Sequence, residues 1–242
     1  MTIFMHSMEV DVAALAAAKS GLRMPPHMTD FDYLVHSALA TALGDQTPKP
    51  FRLQPAGRGR MRLLGYSPVD SHQLARTGQA CAEPDVHAAM RWDEHRSKAM
   101  PSFMEGDEFR FELRACPVVR RRGPGGSKEV DAYLAHVSRH AANKLDPERE
   151  PIREHVYREW LRSRGENSGC EFHDVSVASF RIARLFRRTQ GADRRGAILQ
   201  RPDVTFAGRV RVRDPASFEE TLSRGIGRHK AFGFGMLLLR PS

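Results

Sequence analysis

Cysteine is scarce in this sequence, and long apolar runs are absent. Its 242 residues include three cysteines, Cys81, Cys116 and Cys170, which are scattered and form no C-x-x-C pair. Isolated cysteines suit a reducing cytoplasm and provide no zinc site. No run of about 18 apolar residues is present, which argues against a membrane span. The acids and the alternation in the opening MTIFMHSMEVDVAA are not typical of a signal peptide. We therefore expect a cytoplasmic protein that does not bind membranes.

Several patterns that would indicate cofactor chemistry are also missing. No cluster of carboxylates and no triad-like order of Ser, His and Asp stands out. The glycine-rich segment Gly225–Gly235 lacks the G-K-[ST] ending of a P-loop. It follows a predicted helix and precedes a predicted strand, which is the reverse of a dinucleotide fingerprint. We therefore expect neither a metal nor a cofactor.

Positive charge, by contrast, is abundant. Lys and Arg number 38 against 29 Asp and Glu, which gives a formal net charge of +9 and a pI near 10.0. A basic surface of this size favours a polyanionic partner such as nucleic acid. Hydrophobic residues make up 40% of the chain, enough to form a buried core.

The first half of the chain alternates strands and helices in a recognisable order. Thr29-Asp30 begins a helix with side chains that cap free amides, and apolar residues from Phe31 to Ala42 repeat at helical spacing until Gly44. The other predicted elements are strands at residues 2–10, 51–53, 61–66 and 86–92, and a weaker helix at 69–78. The order βαββαβ predicts a ferredoxin-like domain over residues 1–98, with linker sequence at 95–101.

The second half, residues 102–242, has the same order with helical insertions. A strand at 108–119 places Phe109, Phe111, Leu113 and Ala115 on one face. Arg120, Arg121 and Arg122 follow it in a glycine-flanked loop. The remaining elements are helices at 130–143, 152–163 and 216–223, and strands at 172–186, 205–212 and 231–239. We therefore predict an α+β protein of two tandem ferredoxin-like (βαββαβ) domains.

Four segments of the second half resemble one family. Gly225–Leu239, GIGRHKAFGFGMLLL, is similar to the C-terminal glycine-rich motif of repeat-associated proteins, most closely that of the CasE family. Phe109–Arg122 resembles the family's Arg-containing strand, with Cys116 where Asn is expected. The segments 160–169 and Val204–Phe218 resemble further blocks, in the family's order. Within the glycine segment, Gly233 and Gly235 are typical of a tightly packed turn, whereas the consecutive basic residues Arg228, His229 and Lys230 favour binding of an anion.

The resemblance implies a function. CasE proteins are metal-independent endoribonucleases that cut the CRISPR repeat transcript at the base of a hairpin. They then remain on the product as a subunit of a Cascade complex. The resemblance thus implies that the CRISPR repeat RNA hairpin and other Cascade subunits are partners, and that no cofactor takes part.

The candidate catalytic residues are Tyr33 and His36 on the predicted helix. Their i, i+3 spacing places them about 60° apart on its polar side, where we expect both to be exposed. The Y-x-x-H pattern is similar to the family's active-site pattern. A histidine transfers protons near neutral pH; which of the two residues is the base stays open. Candidates for stabilising the phosphorane are the cations Lys19, Arg23 and Lys230, and His27 and His229 are alternative histidines.

Basic groups predict where RNA binds, because double-stranded RNA is recognised mainly through its shape and backbone. The predicted RNA-binding residues are Arg114, Arg120, Arg121, Arg122, Arg184, Arg187, Arg188, Arg228, His229 and Lys230. Two other functions stay open at this point. One is a repeat-RNA-binding subunit without catalytic activity, and the other is a small-molecule enzyme or regulator with a nucleotide at the glycine loop.

Overall fold

Two antiparallel four-stranded sheets form the framework of the protein. The computed structural model describes residues 2–18, 30–57, 59–123, 126–140, 149–188 and 196–242. In this part of the chain, no helix is both long and apolar enough to cross a membrane. The two sheets come from the two halves of the sequence, and each is covered by its own helices.

The first half forms a ferredoxin-like sheet. Its elements are β1 (Phe4–Val10), α1 (Val12–Ala18), α2 (Phe31–Leu43), β2 (Phe51–Gly57), β3 (Arg60–Ser67), α3 (Ser71–Cys81), α4 (Pro84–Ala89) and β4 (Arg96–Ala99). The strand order is β2-β3-β1-β4, with all pairs antiparallel. Val10, Leu39 and Leu63 belong to the buried core between the sheet and the helices.

The helix α2 has the boundaries that the sequence predicts. The Asp30 side chain accepts a hydrogen bond from the N–H of Tyr33 at 3.0 Å, which satisfies one of the free amides of the first turn. Gly44, with a φ of 54°, follows the last helical residue. The predicted apolar stripe is buried, including Leu34, Val35 and Ala38.

The end of the first half differs from the prediction. Residues 86–92 are not a strand, because Pro84 occupies the first turn of α4 and the segment continues as a helix to Ala89. The fourth strand, Arg96–Ala99, instead lies in the segment predicted as a linker and pairs with β1. We propose that the boundary between the two domains lies between Ala99 and Glu108, rather than at residues 98–102.

The second half repeats the same topology with one inserted hairpin. Its elements are β5 (Glu108–Ala115), β6 (Val118–Gly123), β7 (Gly126–Asp131), α5 (Ala132–His140), α6 (Arg149–Gly165), β8 (Cys170–Arg188), β9 (Gly196–Val212), α7 (Pro215–Arg224) and β10 (Leu237–Pro241). The order β10-β5-β9-β8 matches that of the first sheet, strand for strand. The predicted fold of two tandem ferredoxin-like domains is confirmed.

Two predictions for the second half need correction. Arg120–Arg122 are not in a loop: they lie in β6, which pairs with β7 as a separate two-stranded sheet. The predicted strand 231–239 is shorter and later, because residues Lys230–Phe232 form a 3-10 turn before β10 begins at Leu237.

The two halves pack together through apolar and polar contacts. A small core of Cys116, Leu185, Phe232 and Phe234 lies in the second half, and Tyr33 of α2 packs against it. The buried hydroxyl of Tyr66 in β3 donates to the carbonyl oxygen of Leu237 in β10 at 2.8 Å. The catalytic helix predicted from the sequence is therefore held at the junction of the halves.

A buried pair of histidines lies within the first half. Nε2 of His6 donates to the carbonyl oxygen of Val69 at 2.9 Å, and Nδ1 of His6 lies 2.9 Å from Nε2 of His95. Because His6 already donates through Nε2, we assign His95 as the donor to His6 Nδ1. Burial lowers the pKa of both imidazoles to about 4, and the pair is neutral at pH 7.

We expect the free energy of unfolding to fall as the pH is lowered from about 6.5 to about 4. In this window the unfolded histidines bind protons that the folded pair does not, and by pH 4 each histidine lowers the free energy of unfolding by about 3 kcal/mol. Urea titrations at a series of pH values measure the slope. Replacing His6 by Gln should make the slope shallower, because His6 no longer contributes to it, whereas His72→Gln, at an exposed position, should leave the slope unchanged. A stability independent of pH in this window would contradict the assignment.

Candidate active site and RNA interface

The N-terminus of α2 is held by the second half of the chain. One carboxylate oxygen of Asp30 caps the helix, and the other accepts a hydrogen bond from the N–H of Phe186 in β8 at 3.3 Å. The ring of Tyr33 stacks on Phe232 with centroids 5.4 Å apart and meets Phe186 edge to face at 6.4 Å. Tyr33 is thus half-buried between α2 and the second domain.

An ion cluster formed by Arg114, Asp32, Asp203 and Arg181 continues this contact. Arg114 in β5 donates from Nη1 to Asp32 on α2 at 2.9 Å, and from Nε and Nη2 to Asp203 in β9 at 2.8 and 3.0 Å. Its guanidinium also lies over the ring of Phe234, 4.5 Å from the centroid. Arg114 therefore joins α2 to two strands of the second sheet.

Burial and charge act in opposite directions in this ion cluster. Burial raises the pKa of Asp32 in spite of its ion pair with Arg114, since its Oδ1 is enclosed without a hydrogen-bond partner. Burial also opposes ionisation of Asp203, but hydrogen bonds from Arg114 and Arg181 outweigh it and lower the pKa of that carboxyl. Only 12% of the Arg114 side chain is exposed. Arg114 was predicted to bind RNA, but its guanidinium already binds the carboxylates of Asp32 and Asp203.

The glycine-rich segment packs tightly against this ion cluster. The N–H of Gly235 donates to the carbonyl oxygen of Arg114 at 2.8 Å. Gly233 has a φ of 71°, and a side-chain carbon there would overlap the carboxylate of Asp32. The close packing predicted for Gly233 and Gly235 is confirmed, and it brings the segment onto the N-terminal turn of α2.

We expect Gly233→Ala to destabilise the protein more than Gly106→Ala. Both glycines have positive φ, 71° and 92°, but nothing lies within 4 Å of an added carbon at Gly106. The two variants share a backbone cost of about 1 kcal/mol, and Gly233→Ala adds the overlap with Asp32. We expect about 2 kcal/mol more loss, measured by denaturant unfolding. Equal losses in the two variants would show that the contact with Asp32 is readily relieved.

His36 lies one turn after Tyr33 and in a different environment. Its ring is half-buried and stacks on Phe51, with centroids 6.1 Å apart and planes at 10°. Its Nδ1 is enclosed and has no hydrogen-bond partner among the described residues. Burial, and next the positive charge of Lys49, lower the pKa of His36 to about 4. The imidazole is therefore neutral at pH 7, with a lone pair on one of its two ring nitrogens.

His36 lines a cleft of about 830 Å³ between the two halves. Thr2, Lys49 and Tyr66 line it from the first half, and Glu219, Ser223 and Arg224 of α7 line it from the second, among others. Tyr33 is not among the lining residues. The prediction that both residues are exposed was wrong: both are half-buried, because the second domain covers Tyr33, while His36 lies in the wall of the cleft.

Four predicted RNA-binding arginines are unpaired at the surface. Arg120, Arg121 and Arg122 extend along β6, Arg120 and Arg122 being exposed and Arg121 half-buried, and Arg184 is exposed in β8. Within the described residues, no carboxylate forms an ion pair with any of them. Arg187 and Arg188 lie in β8, but their side chains are outside the described part of the structure.

The basic tip of the glycine segment is partly neutralised. Glu129 in β7 forms an ion pair with Arg228 at 2.8 Å and a longer one with Arg201 at 3.6 Å, and it accepts a hydrogen bond from Nε2 of His229 at 2.9 Å. Burial lowers the pKa of His229 although Glu129 opposes this. The side chain of His229 is 8% exposed and contacts the β6–β7 hairpin through Glu129. Lys230 forms no ion pair with a described carboxylate.

Three other candidates from the sequence, Lys19, Arg23 and His27, lie outside the described residues. Lys49 was missed at the sequence level. A single lysine between two prolines gives no local signal, and its relation to His36 depends on the fold.

The comparison with known proteins decides the family. The model of the family described as CRISPR associated protein matches residues 3–241. The chain belongs to the CRISPR-associated protein family. The CRISPR-associated family predicted from the sequence is thereby confirmed.

Relatives of this CRISPR-associated protein include an enzyme with an assigned activity. The CRISPR-associated endoribonuclease Cse3 of Thermus thermophilus is 29% identical over 147 residues. The aligned region covers 58% of this chain and 59% of the relative, so the match spans little more than half the length of each.

Two solved structures have the same fold over essentially the whole chain. Thermus thermophilus Cse3 bound to an RNA representing a pre-cleavage complex has a TM-score of 0.61 at 21% identity, with 100% of both chains covered. A chain of a CRISPR RNA-guided surveillance complex, pre-nicking, has a TM-score of 0.57 at 18% identity, with 99% of this chain and 100% of that chain covered.

Proposed function

We propose that this protein is a metal-independent endoribonuclease that binds the CRISPR repeat hairpin and cleaves precursor CRISPR RNA. It then remains on the product as a subunit of a Cascade complex. The observation that carries the proposal is the placement of the neutral imidazole of His36 in the cleft between two ferredoxin-like domains. The endoribonuclease name of the Thermus relative and the RNA in the Cse3 structure support it.

Cleavage proceeds by attack of the ribose 2′-OH on the adjacent phosphorus. The 2′-O–P bond forms as the P–O5′ bond breaks, leaving a 2′,3′-cyclic phosphate and a 5′-hydroxyl. One proton must leave the 2′-OH and one must reach the departing O5′. A neutral imidazole with a free lone pair is suited to the first task, so we assign His36 as the general base.

Tyr33 acts by holding the helix and its neighbours. Its ring is stacked on Phe232 in the glycine segment and meets Phe186 in β8, and it is not among the residues that line the cleft. The tyrosine therefore positions α2, and with it His36, against the second domain.

The β6–β7 hairpin provides the RNA-binding surface. Arg120 and Arg122 are exposed and, two residues apart in β6, lie on the same face of the strand. Contacts of such arginines with phosphates fix the position of a duplex without reading its sequence, and they weaken as salt competes. Arg184 in β8 adds a fourth cation to this surface.

The surveillance-complex structure with the same fold supports a role as an assembly subunit. The three cysteines form no disulfide, and two of them, Cys116 and Cys170, are buried. This is compatible with work in the cytoplasm, which we propose as the site of action.

The test uses purified protein, the host's own repeat RNA and EDTA. We expect cleavage of the all-ribose RNA, with a cyclic phosphate on the product, and no cleavage of an RNA carrying a single 2′-deoxynucleotide at the cut. Tight binding without cleavage of either RNA would favour the catalytically inactive assembly subunit. Failure to bind the RNA, together with thermal stabilisation by a nucleotide, would favour a small-molecule enzyme.

A further inference from the structure

We propose that Lys49 is a catalytic cation that binds the phosphate at the cut, acting with Lys230 from the opposite domain. The proposal rests on the proposed function and assigns to Lys49 the charge stabilisation that His36 does not supply. Three observations support it: the backbone hydrogen bonds of Lys49, the charges around Lys49, and the cleft that Lys49 lines.

The backbone around Lys49 is fixed next to His36. The N–H of Lys49 donates to the carbonyl oxygen of Tyr66 at 2.8 Å, and the N–H of Tyr66 donates to that of Pro50 at 3.1 Å. The next residue, Phe51, is the ring on which His36 stacks. Lys49 therefore stands two residues from the platform of His36 and lines the same cleft.

The glycine segment brings a second lysine to this position. Gly225 packs on Pro50 so closely that a side-chain carbon there would lie 2.8 Å from Cβ of Pro50. Lys230 follows in the same segment and lines a smaller pocket of about 220 Å³, which shares Glu220 and Arg224 with the main cleft. Burial, then the charge of Lys49, then that of Arg224, lower the pKa of Lys230.

Lys49 and Arg224 share the cleft with the carboxylates of Asp45, Glu219 and Glu220. Arg224 is paired with Glu220 at 2.8 Å. Lys49 and Lys230, however, have no ion pair with any carboxylate in the described ranges. Lys49 thus lines the cleft beside His36, Lys230 lines the adjoining pocket, and an anion bound near both lysines relieves their repulsion.

The chemistry of the reaction matches this arrangement. Attack by the 2′-oxygen adds negative charge to the phosphoryl oxygens before the P–O5′ bond breaks. The lysines keep their protons and stabilise this charge, while His36 takes the proton of the 2′-OH. Fixed charges around a developing anion act in the transition state more than in the ground state.

The test compares Lys49→Ala, Lys49→Arg and Lys98→Ala in single-turnover cleavage at saturating protein. Lys98 is an exposed lysine of the same domain and lines neither pocket. We expect Lys49→Ala to slow cleavage about 100-fold and Lys49→Arg about tenfold or less, with Lys98→Ala unchanged. In NMR titrations the pKa of His36 should rise in Lys49→Ala and not in Lys98→Ala, since a nearby cation has been removed.

The outcomes separate this inference from the proposed function. Cleavage by Lys49→Ala at the wild-type rate overturns the inference and leaves the endoribonuclease in place. If the wild type itself does not cut, the proposed function fails, and the phosphate site is judged from the His36 imidazole signals in a titration with inorganic phosphate. Signals that move in the wild type and not in Lys49→Ala support a phosphate site, and signals that stay fixed in both overturn it.

Discussion

His36→Ala is expected to slow RNA cleavage about 1000-fold while leaving RNA binding nearly unchanged. Proton transfer by a positioned side chain commonly contributes between about 10²- and 10⁴-fold, and His36 is the only described histidine lining the cleft between the domains. The unpaired arginines of β6 lie on other elements and are unaffected by the substitution. Single-turnover rates and binding isotherms on the same RNA measure the two effects separately.

His72→Ala is the matched control for His36→Ala. His72 is an exposed residue of α3 and lines none of the cavities between the domains. We expect its rate and affinity to equal those of the wild type. A rate for His36→Ala within about tenfold of wild type would remove His36 from the reaction and move the search to His229 or to His27.

The pH dependence tests whether His36 is the base. Because its pKa in the free protein is about 4, kcat/KM should stay level from about pH 8 to pH 5 and fall below that, as the imidazole gains a proton. A general acid would give the opposite sign, with kcat/KM falling as the pH rises above about 4. For His36→Ala, kcat/KM should not show this fall below pH 5.

Arg114→Ala is expected to lower the free energy of unfolding by about 3–5 kcal/mol, or roughly 10 °C in Tm. The substitution leaves Asp32 and Asp203 buried without their main partner, and an uncompensated buried charge is costly. The contact between α2 and the second sheet is weakened at the same time. Cleavage should therefore decline even in the folded fraction, as a fall in kcat rather than a rise in KM.

Arg110→Ala is the control for Arg114→Ala. Arg110 projects from the same face of β5 and is exposed, and its Nε donates to the carbonyl oxygen of Pro241 at 3.1 Å. We expect Arg110→Ala to lower the free energy of unfolding by less than about 0.5 kcal/mol. A second variant, Arg114→Lys, keeps the charge and loses the bidentate contact with Asp203. Its free energy of unfolding should lie between those of Arg114→Ala and Arg110→Ala. Equal stabilities for all three arginine variants would mean that the ion cluster contributes little.

The fold followed from the sequence where each element carries its own signals. The α2 helix has a capping Asp30, an apolar stripe and a terminal Gly44, all within one segment, and its boundaries were predicted correctly. The segment 84–92 was misjudged because Val86, Ala89 and Met90 fit a short buried strand as well as a helical turn. The strand β4, Arg96–Ala99, has no apolar alternation and is defined by its hydrogen bonds to β1, which lies far away in sequence.

The candidate site was predictable only in part. The Y-x-x-H spacing identified the helix, but the side of α2 that it described as exposed is covered by Phe186, Phe232 and Gly233 of the second domain. Arg114 looked like one more basic residue of a strand, since its carboxylate partners are 82 and 89 residues away. Lys49 acquires its relation to His36 through β2 and β3, which the local sequence does not reveal.

The joining of α2 to the second sheet has a consequence for protein engineering. Chimeras that exchange halves between relatives, to move cleavage activity onto a new repeat, cross the junction at residues 100–107. Such a chimera takes Asp32 from one parent, and Arg114 and Asp203 from the other. A recombined enzyme will therefore keep its active geometry only when these three positions and the glycine opposite Asp32 are inherited as a compatible set.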